Sequence, residues 1–424
     1  MSKNTDPHSF TVSYLQKSGG LSEKSAISAS QKLLIETPEK ADSVLELMRT
    51  HGLTQTHIAN IIGNRPGLLL ADLEGNLRPN MELLKSFGVS GNILGKMLSK
   101  ESRFLERDLL GTVEFFRAQR FSDEQITSML KKRPKLFTFN VNTNFRPKLE
   151  FFRSLGLTDE DVAKILSWEP SILERSLEKQ IIPSVQVFRR VLGTGFDVLK
   201  AIKSFYFILE YDLENTLVPN VSTLKSHGVS ETLILKMFMM QPRSLLLNPC
   251  RFSEVLAEVV KLEFDPNNLL FVLAVRVMAT VSKTLWEQKL ESFISFGLSR
   301  DEVYLAFRLH PLCMLVSEKK IKKLMNFFTH KLNIEPSIIS RRPRILRYSL
   351  EKRIIPRSSM LQLLMSKGLI KEDFTMISLL SYLAMNEKNF MARWVRKYQN
   401  VLPDVVKAHR GEIEFRGLPV ILGA

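Results

Sequence analysis

Ser176-Leu-Glu-Lys-Gln-Ile-Ile-Pro183 is the stretch that decides the fold, because it returns almost unchanged as Ser349-Leu-Glu-Lys-Arg-Ile-Ile-Pro356. Looser copies run from Asp72 to Pro79 and from Asp212 to Pro219. A string that recurs within one chain is typical of a repeat protein, in which small units of secondary structure stack on their neighbours. The sequence therefore predicts a repeat array rather than one globule.

A second set of prolines gives the period of the repeat. Several of them precede the closing proline of a string by thirteen residues, and each is followed by a small apolar cluster. The anchors of the repeat are Pro66, Glu101, Pro134, Pro170, Tyr206, Pro242, a degenerate position near 275, Pro311 and Pro343. Their spacing predicts about nine units of about 32 to 36 residues.

Each unit has the sequence pattern of two helices followed by a turn. Apolar residues at helical spacing end at a glycine such as Gly156, and Thr158 is suited to cap the next helix. Pro170 ends that second helix, since a proline cannot continue the hydrogen-bond ladder. Pro183 is then expected at the first position of the next unit's first helix. We expect the six repeat prolines to occupy one equivalent place, just past the second helix of each unit.

Strand patterns are nearly absent, so the predicted fold is all-α, an α-solenoid of tandem helix-helix-turn repeats in a curved superhelix. The flanks lack the period. Residues 1–30 are polar and serine-bearing and are predicted to be poorly ordered at their start. Residues 31–400 form the predicted array, and residues 401–424 the predicted C-terminal tail.

The charge of the chain is strongly positive. There are 60 Lys and Arg residues against 44 Asp and Glu, a formal net charge of +16 and a pI near 9.7. Residues 317–357 alone hold twelve basic and three acidic residues, a net charge of +9 in 41 positions. Such an excess points to a polyanionic partner, of which nucleic acid is the first candidate.

Other chemistry is not indicated. Cys250 and Cys313 match neither a disulfide framework nor metal-ligand spacing, and the histidines are scattered. The longest apolar run ends at Arg276, so no segment is long enough to span a bilayer. We therefore expect no enzyme activity, no cofactor, no metal, no small-molecule substrate and no membrane.

The repeats carry a family resemblance. The Pro-x-Leu-Leu turns, the Ser-x-Gly-Leu loops, and the strings Ser349–Arg357, Ala306–Met314 and Ser366–Ile370 resemble the mitochondrial transcription termination factor (mTERF) family, particularly its plant branch. The resemblance extends over about residues 8 to 400. It implies a right-handed superhelix of three-helix units with a basic concave groove for double-stranded nucleic acid. It also implies organellar work in transcription termination or regulation, and in some members intron splicing or RNA maturation.

The predicted function is thus a nucleic-acid-binding regulator of organellar gene expression, acting as a monomer on double-stranded DNA to control transcription. Structured RNA is the alternative ligand, with splicing or RNA maturation as the role, and a protein-interaction scaffold is a further alternative. The expected compartment is the mitochondrion or the chloroplast, with the mitochondrion placed first. The N-terminal residues do not indicate import themselves, since Asp6 and Glu23 come early and the first arginine is Arg49.

Basic residues beside the repeat turns form the candidate binding site, because equivalent positions in successive units would make a stripe along a phosphate backbone. The predicted nucleic-acid-binding residues are Arg65, Lys131, Lys132, Arg133, Lys135, Arg243, Arg341, Arg342, Arg344, Arg347, Lys352, Arg353 and Arg357.

Overall fold

The computed structural model describes residues 7–191, 198–370 and 375–418. Over these ranges the regular structure consists of α-helices, short 3₁₀ helices and π-helical turns, without any β-strand. The predicted all-α helical-repeat fold is confirmed. The chain divides into two compact units, Met1–Asp212 and Leu213–Ala424, which we call unit 1 and unit 2.

Unit 1 contains twelve α-helices in its described residues. They are Pro7–Lys17, Glu23–Ser30, Glu39–Thr50, Gln55–Asn64, Arg78–Ser86, Gly91–Lys100, Leu109–Ala118, Asp123–Lys132, Arg146–Ser154, Asp159–Trp168, Ile182–Val191 and Val198–Phe205. Its 3₁₀ helices are Pro66–Leu70, Arg103–Glu106, Pro134–Thr138, Pro170–Glu174 and Tyr206–Glu210. Its π-helical turns are Leu73–Leu77, Val141–Phe145 and Leu177–Ile181.

Unit 2 contains thirteen α-helices over the residues that the structure describes. They are Leu217–Ser226, Glu231–Met240, Pro249–Lys261, Leu269–Thr280, Lys283–Ile294, Arg300–Leu309, Glu318–Asn326, Pro336–Ser340, Ile355–Ser366, Met376–Ala384, Glu387–Phe390, Arg396–Tyr398 and Asp404–Arg410. Its 3₁₀ helices are Pro242–Leu246, Pro311–Leu315 and Pro343–Arg347. Its π-helical turns are Phe327–Lys331, Leu350–Ile354 and Met391–Val395.

The six repeat prolines occupy one structural position, as predicted. Each is the first residue of a 3₁₀ helix, which is separated from the second helix of its unit by one residue, or by two before Pro343. The third and fourth residues of these turns point inward, and Leu68 and Leu69 after Pro66 are fully buried. A proline suits this place because it has no N–H to donate to the preceding helix. The prolines are Pro66, Pro134, Pro170, Pro242, Pro311 and Pro343.

Two anchors without proline differ from the prediction. The turn after Gly91–Lys100 aligns on Ser102 rather than on Glu101, since Phe104 and Leu105 are its buried pair. Near residue 275 there is no turn, because helix Leu269–Thr280 runs without interruption through that position. With no proline to remove a backbone donor, the helical ladder continues.

The recurring eight-residue string forms a capped π-helical turn that leads into the first helix. The Ser176 hydroxyl accepts the N–H of Lys179 at 3.1 Å, and the Ile181 N–H donates to the Ser176 carbonyl five residues earlier. Pro183 is the second residue of helix Ile182–Val191, one residue after the first position predicted for it, and the π-helical turn Leu177–Ile181 directly precedes that helix. A proline ring crowds the carbonyl four residues before it, and a wider preceding turn relieves that contact.

Several second helices begin at capping boxes, and these helices follow a residue in the left-handed conformation. The Thr158 hydroxyl accepts the Asp161 N–H while the Asp161 carboxylate accepts the Thr158 N–H, which satisfies two free donors at once. Gly156 just before it has a φ of 95°, a conformation in which glycine has no Cβ penalty. The same reciprocal caps start the helices after Thr54, Ser122 and Ser299.

Both flanks of the array contain helices within the described residues. Helix Pro7–Lys17 is tied to unit 1 by the Tyr14 hydroxyl, which donates to Asp42 Oδ1 at 2.6 Å. In the predicted C-terminal tail, helix Asp404–Arg410 packs against Ile355–Ser366. The flanks are therefore packed onto their units at these points.

No single helix in the described part of the chain is long and apolar enough to cross a membrane. Helices Leu269–Thr280 and Lys283–Ile294 reach the required length and composition only as a pair, and they are bent by 109° at their junction.

Buried polar side chains connect each first helix to the next repeat. They occupy the position directly after the closing proline of the string, and we call them clasp residues. Asn80 donates from Nδ2 to the carbonyls of Leu105 and Arg107 at 2.8 and 2.9 Å. Asn220 donates in the same way to Leu245 and Leu247 at 3.0 and 2.8 Å. The clasp residues with these long-range bonds are Asn80, Lys148, Ser184, Asn220 and Arg357.

Lys148 is the clasp residue of its repeat, and its burial carries an electrostatic cost. Lys148 is 4% exposed, and its Nζ donates to the Leu173 carbonyl and to Asn144 Oδ1, both at 2.5 Å. Burial lowers the pKa of Lys148 to about 8. The turn carbonyl is satisfied, but the charge is taken out of water, which penalises the protonated form.

We predict that Asn220→Ala destabilises unit 2 by about 1 to 3 kcal/mol, because two carbonyl groups of the next turn lose their donor in a buried place. Urea unfolding followed by circular dichroism measures the change. Asn389→Ala is the matched control, since Asn389 is exposed in the same unit. Equal unfolding midpoints for the two variants would show that the clasp does not stabilise the fold.

Candidate nucleic-acid interface

The positive charge of the chain is concentrated in unit 2. Unit 1 has 29 basic against 25 acidic residues, a net charge of +4, whereas unit 2 has 31 against 19, a net charge of +12. Nucleic-acid affinity depends on phosphates that basic side chains neutralise. Unit 2 is therefore the stronger candidate for the interface.

The predicted arginines beside the turns of unit 1 are ion-paired. Arg65, just before Pro66, donates from Nε and Nη2 to Glu106 Oε2 in the next turn. Arg133, just before Pro134, lies 3.9 Å from Glu174 Oε2, again in the next turn. In both pairs, the residue just before one turn contacts the last residue of the next turn. Both arginines are exposed, but each already has a carboxylate partner on its surface.

The three lysines around Pro134 have different surroundings. Lys132 donates from Nζ to the carbonyls of Ser167 and Trp168 at 3.0 and 2.9 Å, and so caps the C-terminus of helix Asp159–Trp168. Lys135 is exposed but lies in the field of Glu101. Lys131 is exposed and has no carboxylate within 4.0 Å among the described residues. Only Lys131 retains an uncommitted charge.

The turn after Pro170 is acidic instead of basic. The Ser171 hydroxyl oxygen lies 2.5 Å from Glu169 Oε1 and also contacts the carboxyl group of Glu210, so its single hydrogen serves one of the two. Burial, together with the charge of Glu169, raises the pKa of Glu210. Carboxyl groups in this turn repel a phosphate backbone, so a basic stripe does not extend through every turn of unit 1.

The turn at Pro343 has the opposite character. Arg341, Arg342 and Arg344 are exposed on both sides of the buried Pro343 ring, and we call them the arginine ridge. Within the described ranges, no carboxylate lies within 4.0 Å of any of the three. Ile345, at 2% exposure, anchors the turn in the core. The structure thus brings together three arginines whose charges are uncompensated.

The remaining predicted residues of unit 2 lie near this turn or at the turn of Pro242. Arg347 and Lys352 are exposed, and the Arg353 guanidinium lies 4.4 Å above the centre of the Tyr348 ring. Arg243 is exposed in the turn Pro242–Leu246.

Arg357 is not available to nucleic acid, and its predicted role is corrected. Its side chain is 1% exposed and acts as a clasp residue, donating from Nη1 to the carbonyls of Leu383 and Met385 at 2.9 and 2.5 Å. Nη2 donates to Glu387 Oε2 at 2.8 Å. A buried guanidinium with these partners has no donor directed to a phosphate in solvent.

His310 belongs to the same surface and was not predicted. It precedes Pro311 as Arg65 precedes Pro66, so by repeat position it faces Arg347 of the next turn. Burial, followed by the charges of Arg347 and Arg344, lowers the pKa of His310. Its buried Nε2 has no hydrogen-bond partner. The signal in the sequence was its place before the proline, where other repeats have arginine.

No group of three or more His, Cys, Asp or Glu side chains that could hold a metal ion occurs in the described ranges. Cys313 is 1% exposed, and burial raises the pKa of its thiol to about 12, so it is an unreactive core residue.

Comparison with known proteins agrees with these features. A sequence model of the mTERF family matches residues 45–391. No curated protein sequence matches the chain significantly. Members of the matching family are generally non-enzymatic proteins that bind nucleic acid. The match therefore indicates a nucleic-acid-binding regulator of organellar gene expression.

We predict that His310 makes stability depend on pH. Its folded-state pKa is below the ordinary value of 6.5, so the unfolded chain binds the extra proton first and stability is lost as the pH falls below about 6.5. His310→Gln should lose less stability than the wild type between pH 7 and pH 5 in thermal melts.

His330→Gln is the control, because His330 is an exposed histidine of the same unit. Parallel pH profiles for the wild type and His310→Gln would contradict a lowered pKa of His310 in the folded protein.

Proposed function

Because the chain belongs to the mTERF family, we propose that it binds double-stranded DNA in an organelle through the arginine ridge and thereby controls transcription. Three observations support this proposal. The charge excess lies in unit 2, the ridge arginines lack carboxylate partners among the described residues, and their backbone is fixed by a buried proline turn. The second of these carries the most weight, since it separates the ridge from the paired arginines of unit 1.

An arginine without a carboxylate partner binds a phosphate at a lower free-energy cost than an ion-paired arginine. Arg65 must give up the carboxylate of Glu106 before it can contact a phosphate, whereas Arg342 exchanges only water and counterions. Each phosphate contact releases condensed counterions from the duplex, which favours binding at low salt. Arginine also presents a planar fork that donates two hydrogen bonds to one phosphate.

The ridge is rigid enough to hold several arginines in a fixed relation. Pro343, Ile345 and Leu346 are all buried, and the Ile345 N–H donates to the Arg342 carbonyl at 3.1 Å. A fixed turn loses less conformational entropy on binding than a mobile loop. Backbone contacts of this kind position the protein on a duplex, and base contacts elsewhere would supply sequence preference.

Duplex DNA is the ligand we place first, and structured RNA is the competing one. The ridge contacts phosphates, which both duplexes have, so discrimination depends on groove shape and on the 2′-hydroxyl groups. Competition between a DNA duplex and an RNA duplex of the same sequence separates them. A preference for RNA would assign the protein to RNA maturation or splicing instead of transcription.

We predict that the triple variant Arg341→Ala, Arg342→Ala, Arg344→Ala weakens binding to all duplex sequences. The slope of log affinity against log salt should become shallower by about 0.9 for every phosphate that the variant can no longer bind, or roughly 2.7 if each of the three arginines binds one. Fluorescence anisotropy with a labelled duplex of about 20 base pairs, titrated at several salt concentrations, measures both quantities.

The control removes the same charge from another part of unit 2. Arg251, Lys283 and Arg300 are ion-paired with Glu254, Glu258 and Glu287, and changing these three basic residues to alanine also lowers the net charge by three. We expect little change in the salt slope. If both triple variants reduce the slope equally, binding responds to net charge and the ridge has no special role.

We also propose import into an organelle, with mitochondria as the first compartment to test and plastids as the second. The proposal follows from family membership, since family members regulate organellar gene expression. A fluorescent protein fused to the C-terminus should localise with an organelle marker in plant cells. A fusion that stays in the cytosol, at unchanged length on an immunoblot, would count against import of this chain.

A further inference from the structure

A basic cleft lies in unit 2 beside the arginine ridge and is separate from it. We call it the C-terminal cleft. It has a volume of about 550 Å³. One wall is the segment that joins the turn Pro343–Arg347 to helix Ile355–Ser366, and the other is formed by Glu387 and by helix Asp404–Arg410. The side chains relevant to ligand binding are Arg347, Tyr348, Lys352, Arg353, Glu387 and His409.

The charges in the cleft do not cancel. Glu387 is its one carboxylate among the described residues, and both of its oxygens are already engaged. Oε2 accepts from the buried Arg357 at 2.8 Å, and Oε1 lies 2.8 Å from His409 Nε2. No described carboxylate lies within 4.0 Å of Arg347, Lys352 or Arg353. Three positive charges therefore surround a concave space with no counter-charge of their own.

One wall of the cleft is preorganised. The Tyr348 hydroxyl donates to the Ala384 carbonyl at 3.2 Å, which fixes the ring. The Arg353 guanidinium lies 4.4 Å from the ring centre, so a cation–π contact holds it in place. The Ser349 hydroxyl accepts the Lys352 N–H at 3.0 Å and fixes the turn between them. A ligand would meet side chains that are already ordered, which reduces the entropy lost on binding.

We propose that the C-terminal cleft binds the terminal phosphate monoester of a nucleotide, at the end of a nucleic-acid strand or on a free nucleotide. The cleft volume of about 550 Å³ is in the range of roughly 300 to 1,000 Å³ that is typical of pockets for small ligands such as a nucleotide. A phosphodiester has one negative charge, whereas a monoester has between about 1.5 and 2 at pH 7. Three converging cations favour the group with more charge and with three free oxygens. This inference does not require the ridge to bind a duplex.

The test compares two labelled single strands of one sequence, one with a 5′-phosphate and one with a 5′-hydroxyl group. We expect the phosphorylated strand to bind about tenfold more tightly, the effect of roughly one strong charge-assisted contact. AMP should compete with this preference, and adenosine should not. Equal affinity for the two strands, together with no competition and no thermal stabilisation by AMP, would overturn the proposal.

Variants locate the effect. Lys352→Ala and Arg353→Ala should each remove most of the preference for the phosphorylated strand, and Lys352 is exposed, so its variant should keep the fold. The ridge triple variant should weaken both strands and leave their ratio unchanged. A preference that survives both cleft variants contradicts the cleft, whereas one that disappears in the ridge variant alone assigns the phosphate to the ridge.

The two sources of the phosphate give different results. If strand ends are the ligand, the phosphorylated strand is preferred and AMP competes weakly. If a free nucleotide is the ligand, AMP raises the thermal midpoint while the two strands bind alike. Both results support a phosphate monoester site. The proposal that the ridge binds a duplex fails in a different way, which is that ridge variants leave the affinity for a duplex unchanged.

Discussion

Hydrogen bonds donated by buried clasp residues to the carbonyl groups of the following turn are the constraint on which the array depends. The 3₁₀ turn that follows the second helix interrupts the helical ladder, and its carbonyls would otherwise be buried without donors. Asn80 and Asn220 each satisfy two of them. Because the clasp follows the closing proline directly, the first helix of one repeat is held in a fixed register against the turn of the next.

That register places equivalent residues of adjacent turns against each other, so the chemistry of the surface depends on which side chains occupy them. The residue before the turn faces the end of the next turn. In unit 1 the pairs are Arg65 with Glu106 and Arg133 with Glu174, which neutralise the surface. In unit 2 the corresponding neighbours are His310 and Arg347, and no carboxylate compensates them among the described residues. One backbone arrangement thus produces ion-paired arginines beside two turns of unit 1 and an uncompensated basic pair beside the turn of Pro343 in unit 2.

Much of the fold could be predicted from the sequence because proline and glycine act locally. Pro170 ends a helix through its own ring, and Gly156 adopts the left-handed conformation itself, so neither effect depends on distant contacts. The register of the turn after helix Gly91–Lys100 was harder to predict, because this turn has no proline. Whether it aligns on Glu101 or on Ser102 depends on which pair of residues after it is buried. The π-helical turn before Pro183 was missed because its hydrogen bonds span one residue more than those of an α-helix, which leaves no compositional signal.

The candidate site was less accessible to sequence analysis because charge counting does not reveal partners. Arg65 and Arg342 have the same place before a turn, but the carboxylate that pairs with Arg65 is 41 residues away along the chain. Arg357 was grouped with the exposed arginines around it, although its carbonyl partners lie 26 and 28 residues further on and bury it. Whether an arginine is ion-paired, buried or without a carboxylate partner depends on how adjacent repeats pack, which the sequence alone does not show.

We propose that the uncompensated arginine ridge, and not the paired arginines of unit 1, meets the nucleic acid. Photo-crosslinking of the full chain to a duplex with photoreactive thymines, followed by mass spectrometry of the crosslinked peptides, tests it directly. We expect peptides containing residues 341–344 to be the main adducts, and those containing Arg65 or the Pro170 turn to be rare. Adducts concentrated on the turns of unit 1, with none at residues 341–344, would contradict a role of the ridge.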